Sequence, residues 1–159
     1  MSPAASFRLD PIEGGRFIVA GDPRLMGWVA RRITTVPNDY VWPQAEVIGL
    51  TNGSEMLAAM IVHDYVPAFR NCQITFAAAS PKWATKSSIR ALLRYPFEQL
   101  GCRRVTTIIP ARNVRAIRFN EGIGFKREGV IRFGAGDQDE VILGLLKEEA
   151  PTWLGFTCA

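Results

Sequence analysis

Apolar positions set two different rhythms along this chain. Up to Ala79 they come in short runs bounded by turn residues. Arg16 to Ala20 (RFIVA), after Gly14-Gly15, predicts a strand. Glu46 to Leu50 predicts another, and Thr51-Asn52-Gly53-Ser54 a hairpin turn of the Asn-Gly kind. Its partner, Met56 to Val66, is nearly continuous in apolar residues, as a strand covered on both faces would be. Arg70-Asn71 turns the chain back, and Gln73 to Ala79 (QITFAAA) completes an antiparallel meander. One helix interrupts this part. Asp22 is placed as its N-cap with Pro23 at the first helical position. Leu25, Met26, Val29 and Ile33 line one side of it over about Pro23 to Ile33. Pro37 to Pro43 reads as loop.

After Ser80-Pro81 the spacing lengthens to the helical period. Ile89, Leu92, Leu93, Phe97 and Leu100 predict a helix over about Ser87 to Leu100, strained by Pro96 and stopped by Gly101. Arg104 to Ile109 (RVTTII) is a β-branched strand. Asn113 caps a further helix from Val114 to about Gly122. Lys126 to Phe133 and Val141 to Lys147 are two last strands, joined through Gly134 to Asp139. The tail Pro151 to Ala159 carries Trp153, Leu154 and Phe156. It is expected to pack on the body or on a second subunit, which would make a homodimer. These elements predict one domain over residues 1–159. Its class is α+β, a three-layer α/β/α architecture. The central sheet is mixed, mostly antiparallel and of about seven strands, with helices on both faces.

Composition narrows function more than fold. The chain has 159 residues, 48% hydrophobic and 21% charged, an ordinary folded domain. Cys72, Cys102 and Cys158 form no CxxC pair and there is a single histidine, which argues against a disulfide framework and a metal site. The start MSPAASFRLDPIEGG lacks the basic-then-apolar order of a signal peptide. The longest apolar run, Met56 to Val62, is far short of the roughly 20 residues that span a bilayer. A soluble, cytoplasmic protein is the expectation. The net charge of +4 is unevenly placed, with eleven basic residues and two acids from Lys82 to Arg127. That stretch is built to lie near negative charge, as nucleic acid, a membrane surface or a phosphorylated cofactor would provide.

Three segments carry candidate chemistry. Ala77, Ala78 and Ala79 lead through Ser80-Pro81 to Lys82, Trp83, Thr85, Lys86, Ser87 and Ser88, where a helix begins. A helix start with N–H groups, hydroxyls and lysines suits an anion. Ordinary capping accounts for the same residues, and there is no glycine-rich phosphate cradle. On the next helix Arg112, Arg115 and Arg118 form a cationic edge, either solvated or one wall of an anion site. The third segment is His63-Asp64-Tyr65. Strand alternation puts His63 and Tyr65 on one face and Asp64 on the other. His63 is either a general base or a hydrogen-bonded structural residue. No cysteine has a flagged histidine partner and there is no GxSxG, which favours chemistry in which a bound cofactor brings the reactive group.

Over Ala91 to Lys147 the chain resembles the GNAT superfamily of acyl-CoA-dependent N-acetyltransferases, and within it the branch that acetylates ribosomal-protein N-termini. The resemblance rests on a helix ending Phe97-Glu98-Gln99-Leu100-Gly101, the Arg104-Val105 strand, Asn113 with Ala116 opening the next helix, and Gly124-Phe125-Lys126-Arg127-Glu128-Gly129. It implies acetyl transfer from acetyl-CoA to a primary amine, at a protein N-terminus or on a small molecule. It places pantetheine beside Ala77, Ala78 and Ala79, and pyrophosphate on Lys82 to Ser88. Asn113, with Arg115 and Phe119 on the same helix, would border the cofactor. An N–H near Ala78 or Ala79 would polarise the thioester carbonyl. Two positions depart from the family pattern. Trp83 to Ser88 contains no glycine, and Asn120 stands where many members carry a general-acid tyrosine. His63, Tyr65 and Asn120 are then the candidates for proton handling. A non-catalytic acyl-CoA-binding module is the second reading. A nucleic-acid-binding protein is the third, although the basic stretch lacks interleaved exposed aromatics and any recognisable nucleic-acid motif. Acceptor choice is expected from Asp22 to Gln44 and Asp64 to Asn71, with Trp28, Tyr40 and Trp42 as pocket or core residues.

Overall fold

Eight strands form one mixed sheet in the computed structural model, which describes residues 8–156. They are β1 (Arg8–Ile12), β2 (Arg16–Ala20), β3 (Glu46–Thr51), β4 (Met56–Val66), β5 (Asn71–Ala78), β6 (Arg104–Pro110), β7 (Lys126–Ala135) and β8 (Gln138–Leu146). Their order across the sheet is β1-β2-β3-β4-β5-β6-β8-β7. Every neighbouring pair is antiparallel except β5 and β6. A parallel pair needs a crossover, and α2 (Lys86–Arg94) supplies it. The other helices are α1 (Arg24–Ala30) and α3 (Val114–Gly122).

The two faces of β4 feed two cores. Met60 and Val62 pack with Leu50, Ile74, Leu92, Leu93, Phe97 and Leu143 on the face that α2 covers. Ala59 and Ile61 pack with Val19, Leu25, Val29 and Trp42 on the face that α1 covers. This double burial is why β4 reads as an unbroken apolar run.

Four features differ from the sequence reading. β1 is an additional edge strand, and it escapes notice because it carries Arg8, Asp10 and Pro11, residues suited to an edge. The helix expected to reach Leu100 is α-helical to Arg94 and then widens into a π turn over Tyr95–Gln99. Pro96 has no N–H to give, and Leu100 N–H reaches back to the Tyr95 carbonyl at 2.9 Å. α1 begins at Arg24 with Pro23 in the cap position, yet the Asp22 carboxylate still accepts the Arg24 N–H at 3.0 Å. The fourth is a bulge in β4 between His63 and Val66, with Asp64 at φ 50°. The tail packs on the body: Leu154 is buried, Phe156 lies 5.2 Å from Phe97, and Arg90 donates to the Trp153 carbonyl at 2.7 Å. Cys158 and the first seven residues of the N-terminal stretch lie outside the described residues. Among the described residues, no helix is long and apolar enough to cross a membrane.

Candidate functional site

β5 and β6 pair at only three positions, Asn71 with Arg104, Cys72 with Val105 and Gln73 with Thr106. Beyond Gln73 the two strands diverge. On its other edge β5 stays bonded to β4, and Ala79 N–H donates to the Leu57 carbonyl at 2.9 Å. Backbone groups alternate between the two edges of a strand. Phe76 and Ala78 therefore turn their N–H and C=O groups toward the gap left by β6. The gap opens into a cleft of about 850 Å³ lined by β5, β6, the start of the α2 region, α3 and residues 32–35 beyond α1.

The cleft is apolar with a biased charge. Arg32, Arg115 and Arg118 line it, and among the described residues no aspartate or glutamate does. Six of the eleven basic residues between Lys82 and Arg127 are neutralised nearby, by pairs such as Arg103 with Glu148, Arg104 with Glu128, Arg112 with Asp137 and Lys126 with Glu149. Among the described residues Lys82, Lys86, Arg90, Arg115 and Arg118 enter no ion pair, and Arg90 is held by the Trp153 carbonyl. The uncompensated charge is thus concentrated at the α2 start and along α3.

The stretch before α2 is pinned from the opposite end of the sheet. Arg16 of β2 donates to the carbonyls of Trp83 (2.7 Å) and Lys82 (2.8 Å) and to Ser88 Oγ (2.8 Å). Thr85 caps α2 by accepting the Ser88 N–H, and its hydroxyl donates to Ser88 Oγ at 2.9 Å. Ser88 is 0% exposed, so its expected contact with a ligand is corrected: it belongs to the buried cap. Lys82, Thr85, Lys86 and Ser87 surround the helix start without lining the cleft, whereas Trp83 lines it. The Trp83 ring lies 4.5 Å from Phe76 and 5.4 Å from Phe119, an aromatic bridge from β5 to α3.

On α3, Asn113 accepts the Ala116 N–H at 3.2 Å through Oδ1, which leaves its amide NH2 for another partner. Asn120 lines the cleft and donates to the Ala116 carbonyl at 2.8 Å. A neutral carboxamide has no acidic proton to give, so Asn120 cannot replace a tyrosine as an acid. Ala77 and Ala78 line the cleft together with Ala79, but the Ala79 N–H is already engaged by Leu57.

The bulge in β4 redistributes the His63-Asp64-Tyr65 segment. Tyr65 does not share a face with His63: it joins the core under α2, and its hydroxyl donates to the Leu100 carbonyl at 3.0 Å. Asp64 does not point away from His63, since its Oδ2 lies 2.5 Å from His63 Nδ1. His63 Nε2 lies 2.9 Å from Oγ1 of Thr75, a cleft-lining residue. A bulge re-aims side chains in this way because one extra residue breaks the two-residue period. Cys72 and Cys102 are both buried. The hydrogen bond that the Cys72 thiol donates to Cys102, and then burial, push the Cys72 thiol up, so it is no nucleophile.

Sequence reasoning singled out β5, the α2 start and α3 as candidates, but not Arg16, Arg32, Thr75 or the Asp64 contact. The contacts of Arg16 span 66 to 72 residues, and no local pattern announces them. The residues behind the family resemblance hold the fold. Phe97 and Phe125 are buried. Gly124 has φ +113°, and a Cβ there would stand 2.8 Å from Pro151. Glu128 pairs with Arg104 at 2.8 Å over Gly144, where a Cβ would strike the Glu128 carboxylate.

No family model and no curated protein matches this sequence. Solved structures do. A crystal structure assigned as an acetyltransferase superposes at TM-score 0.71 with 20% identity, covering 92% of this chain and 90% of that one. A single-substitution variant of spermidine N-acetyltransferase from Vibrio cholerae gives 0.73 with 14% identity over 89% and 98%. A protein of T. thermophilus, also assigned as an acetyltransferase, gives 0.65 with 24% identity over 84% and 80%. Likeness at these identities is likeness of fold, and the fold of this chain is that of the GNAT acetyltransferases.

Proposed function

We propose that the protein is an acetyl-CoA-dependent N-acetyltransferase. The observation that carries this is the unpaired edge of β5 inside the cleft. A pantetheine arm is an extended chain with two amides, and the backbone groups of Phe76 and Ala78 offer it the hydrogen bonds a missing strand would make. Bound acetyl-CoA supplies the activated acyl group. The Phe76 N–H, open to the cleft and farther from the α2 start than Ala78, is the donor for an acyl carbonyl at the far end of that arm, whereas the Ala79 N–H is engaged. Arg115 and Arg118 flank the cleft for the phosphates, with Lys82, Lys86 and Ser87 at the α2 start. Asn113 offers its amide, and Trp83 and Phe119 an apolar wall. Thr85 and Ser88 serve this site through the cap, since their hydroxyls are committed to each other. Buried free thiols at Cys72 and Cys102 suit a cytoplasmic setting.

The acceptor enters on the α1 side, past Arg32, Ile33, Thr34 and Thr35. A cleft with three arginines and no carboxylate repels a polycation. The acceptor is therefore a primary amine that is uncharged or anionic elsewhere, as a peptide N-terminus is, and not a polyamine. Calorimetric titration with acetyl-CoA, followed by thiol release across an amine panel, tests the reading. Binding with turnover of a peptide amine is expected. The absence of binding at millimolar acetyl-CoA would overturn it, and binding without turnover on any amine would reduce it to a binding module.

A further inference from the structure

We propose that Thr75, Oγ1 to Nε2 with His63, whose Nδ1 meets Asp64, is the group that takes the proton from the acceptor amine. This rests on the acetyltransferase reading and goes beyond it, because among the described residues that line the cleft there is no carboxylate, histidine, cysteine or tyrosine to act as a base.

The placement follows from the sheet. Thr75 stands opposite Ile61 in the β4–β5 ladder, so its side chain shares the α1 face with Ile61 and His63, the side on which the acceptor enters. It is the second residue past the last β5–β6 pair, near the apex of the opening. From Ala79 to Thr75 the strand advances about 13 Å at ~3.3 Å per residue. An arm running along β5 from the α2 start therefore brings its far end toward Thr75.

Three hydrogen-bonded groups make a directional path. Asp64 Oδ2 lies 2.5 Å from Nδ1 and fixes the ring proton there. Nε2 is then an acceptor for the Thr75 hydroxyl at 2.9 Å. The ring packs on Trp42, with centroids 6.5 Å apart. Asp64 is the charged group that meets the ring; Thr75 and Trp42 are neutral. Asp64 reaches Nδ1 only because it sits in a bulge at φ 50°. That conformation is uncommon for a residue other than glycine, and aspartate and asparagine bear it best.

The proton accounting closes without another reactant. As the amine nitrogen bonds to the acyl carbon, its proton passes to Thr75 Oγ1 while the Thr75 proton passes to Nε2. The imidazolium so formed is held by the Asp64 carboxylate. When the C–S bond breaks, the proton returns through Thr75 to the departing sulfur. The products are the amide and the free thiol, and the three side chains end as they began. Thr75 is the catalytic residue here; His63 and Asp64 position and relay.

Four variants test this: Thr75→Val, Thr75→Ser, His63→Gln and Asp64→Asn. Asparagine tolerates the positive φ, so the last removes charge without straining the bulge. Thr75→Val is expected to lower kcat by about 10²–10⁴ with KM and acetyl-CoA affinity unchanged, and Thr75→Ser to restore most of it. His63→Gln and Asp64→Asn should lower kcat and flatten its pH profile. A wild-type kcat in Thr75→Val, with turnover present, would overturn the relay while leaving the acetyltransferase reading intact. Ring ¹⁵N NMR of the single histidine decides even if no amine turns over. A proton on Nδ1 alone is expected, and Asp64→Asn should redistribute it. A proton on Nε2 at the pH of the assay would overturn the proposal.

Discussion

Gly124 shows how much one backbone angle can hold. With φ at +113° and Pro151 at 2.8 Å from a notional Cβ, Gly124→Ala is expected to cost about 2–3 kcal/mol. The measurement is a urea midpoint at unchanged m-value; an unaltered midpoint would show that Pro151 moves aside freely. Asp22 makes a complementary point about charge. The Arg24 guanidinium beside Asp22 holds its carboxyl below the usual carboxylate range, against the opposing effect of burial. A carboxyl lowered in the folded state stabilises at neutral pH, and that stabilisation fades as the pH falls through its folded value. Asp22→Ala should therefore cost about 1 kcal/mol at neutral pH. The gap between variant and wild-type melting temperatures should narrow in acid. A gap that is constant with pH would assign the loss to capping geometry alone. Residue-level reading of the sequence failed at Tyr65 and Asp64 for a single cause. One bulge residue reverses every face assignment after it, and Asp64 looks like any other strand-end aspartate.

Elements were legible where burial is periodic. β4 came through with its observed ends, and α3 likewise, because each shows its buried face in its own composition. β1 and the π turn were not legible. A charged edge strand has no apolar period, and a proline inside a helix announces disturbance without saying how it is absorbed. The loop before α2 was singled out as a candidate site, but its support was not seen, because Arg16 comes from another strand. Arg16→Met would remove one donor each from the Lys82 and Trp83 carbonyls and from the buried Ser88 hydroxyl, the last two keeping Thr85 as a donor. We expect a loss of about 1–3 kcal/mol in stability and an acetyl-CoA affinity lower by about tenfold, read by calorimetry. If affinity held while stability fell, the α2 start would not be part of the phosphate site.

For the whole molecule the decisive pattern is where charge is left over. Most basic residues of the Lys82 to Arg127 stretch are matched by acids, many of them from outside it. The remainder gathers about one cleft that has no carboxylate. Spermidine is accordingly expected to be a poor acceptor, with kcat/KM at least about 10²-fold below that of a peptide amine. Arg32→Glu is expected to narrow that gap by attracting the polycation. Comparable kcat/KM values for the two amines in the wild type would remove the electrostatic argument. The three-residue seam between β5 and β6 has one more consequence. In amide exchange with deuterated water, Ala77 and Ala79, facing β4, should be protected, whereas Phe76 and Ala78 in the same central strand should exchange as fast as an edge. Such alternation within a single strand would be a fingerprint of the open seam. Its disappearance on adding acetyl-CoA would report, amide by amide, a ligand completing the sheet.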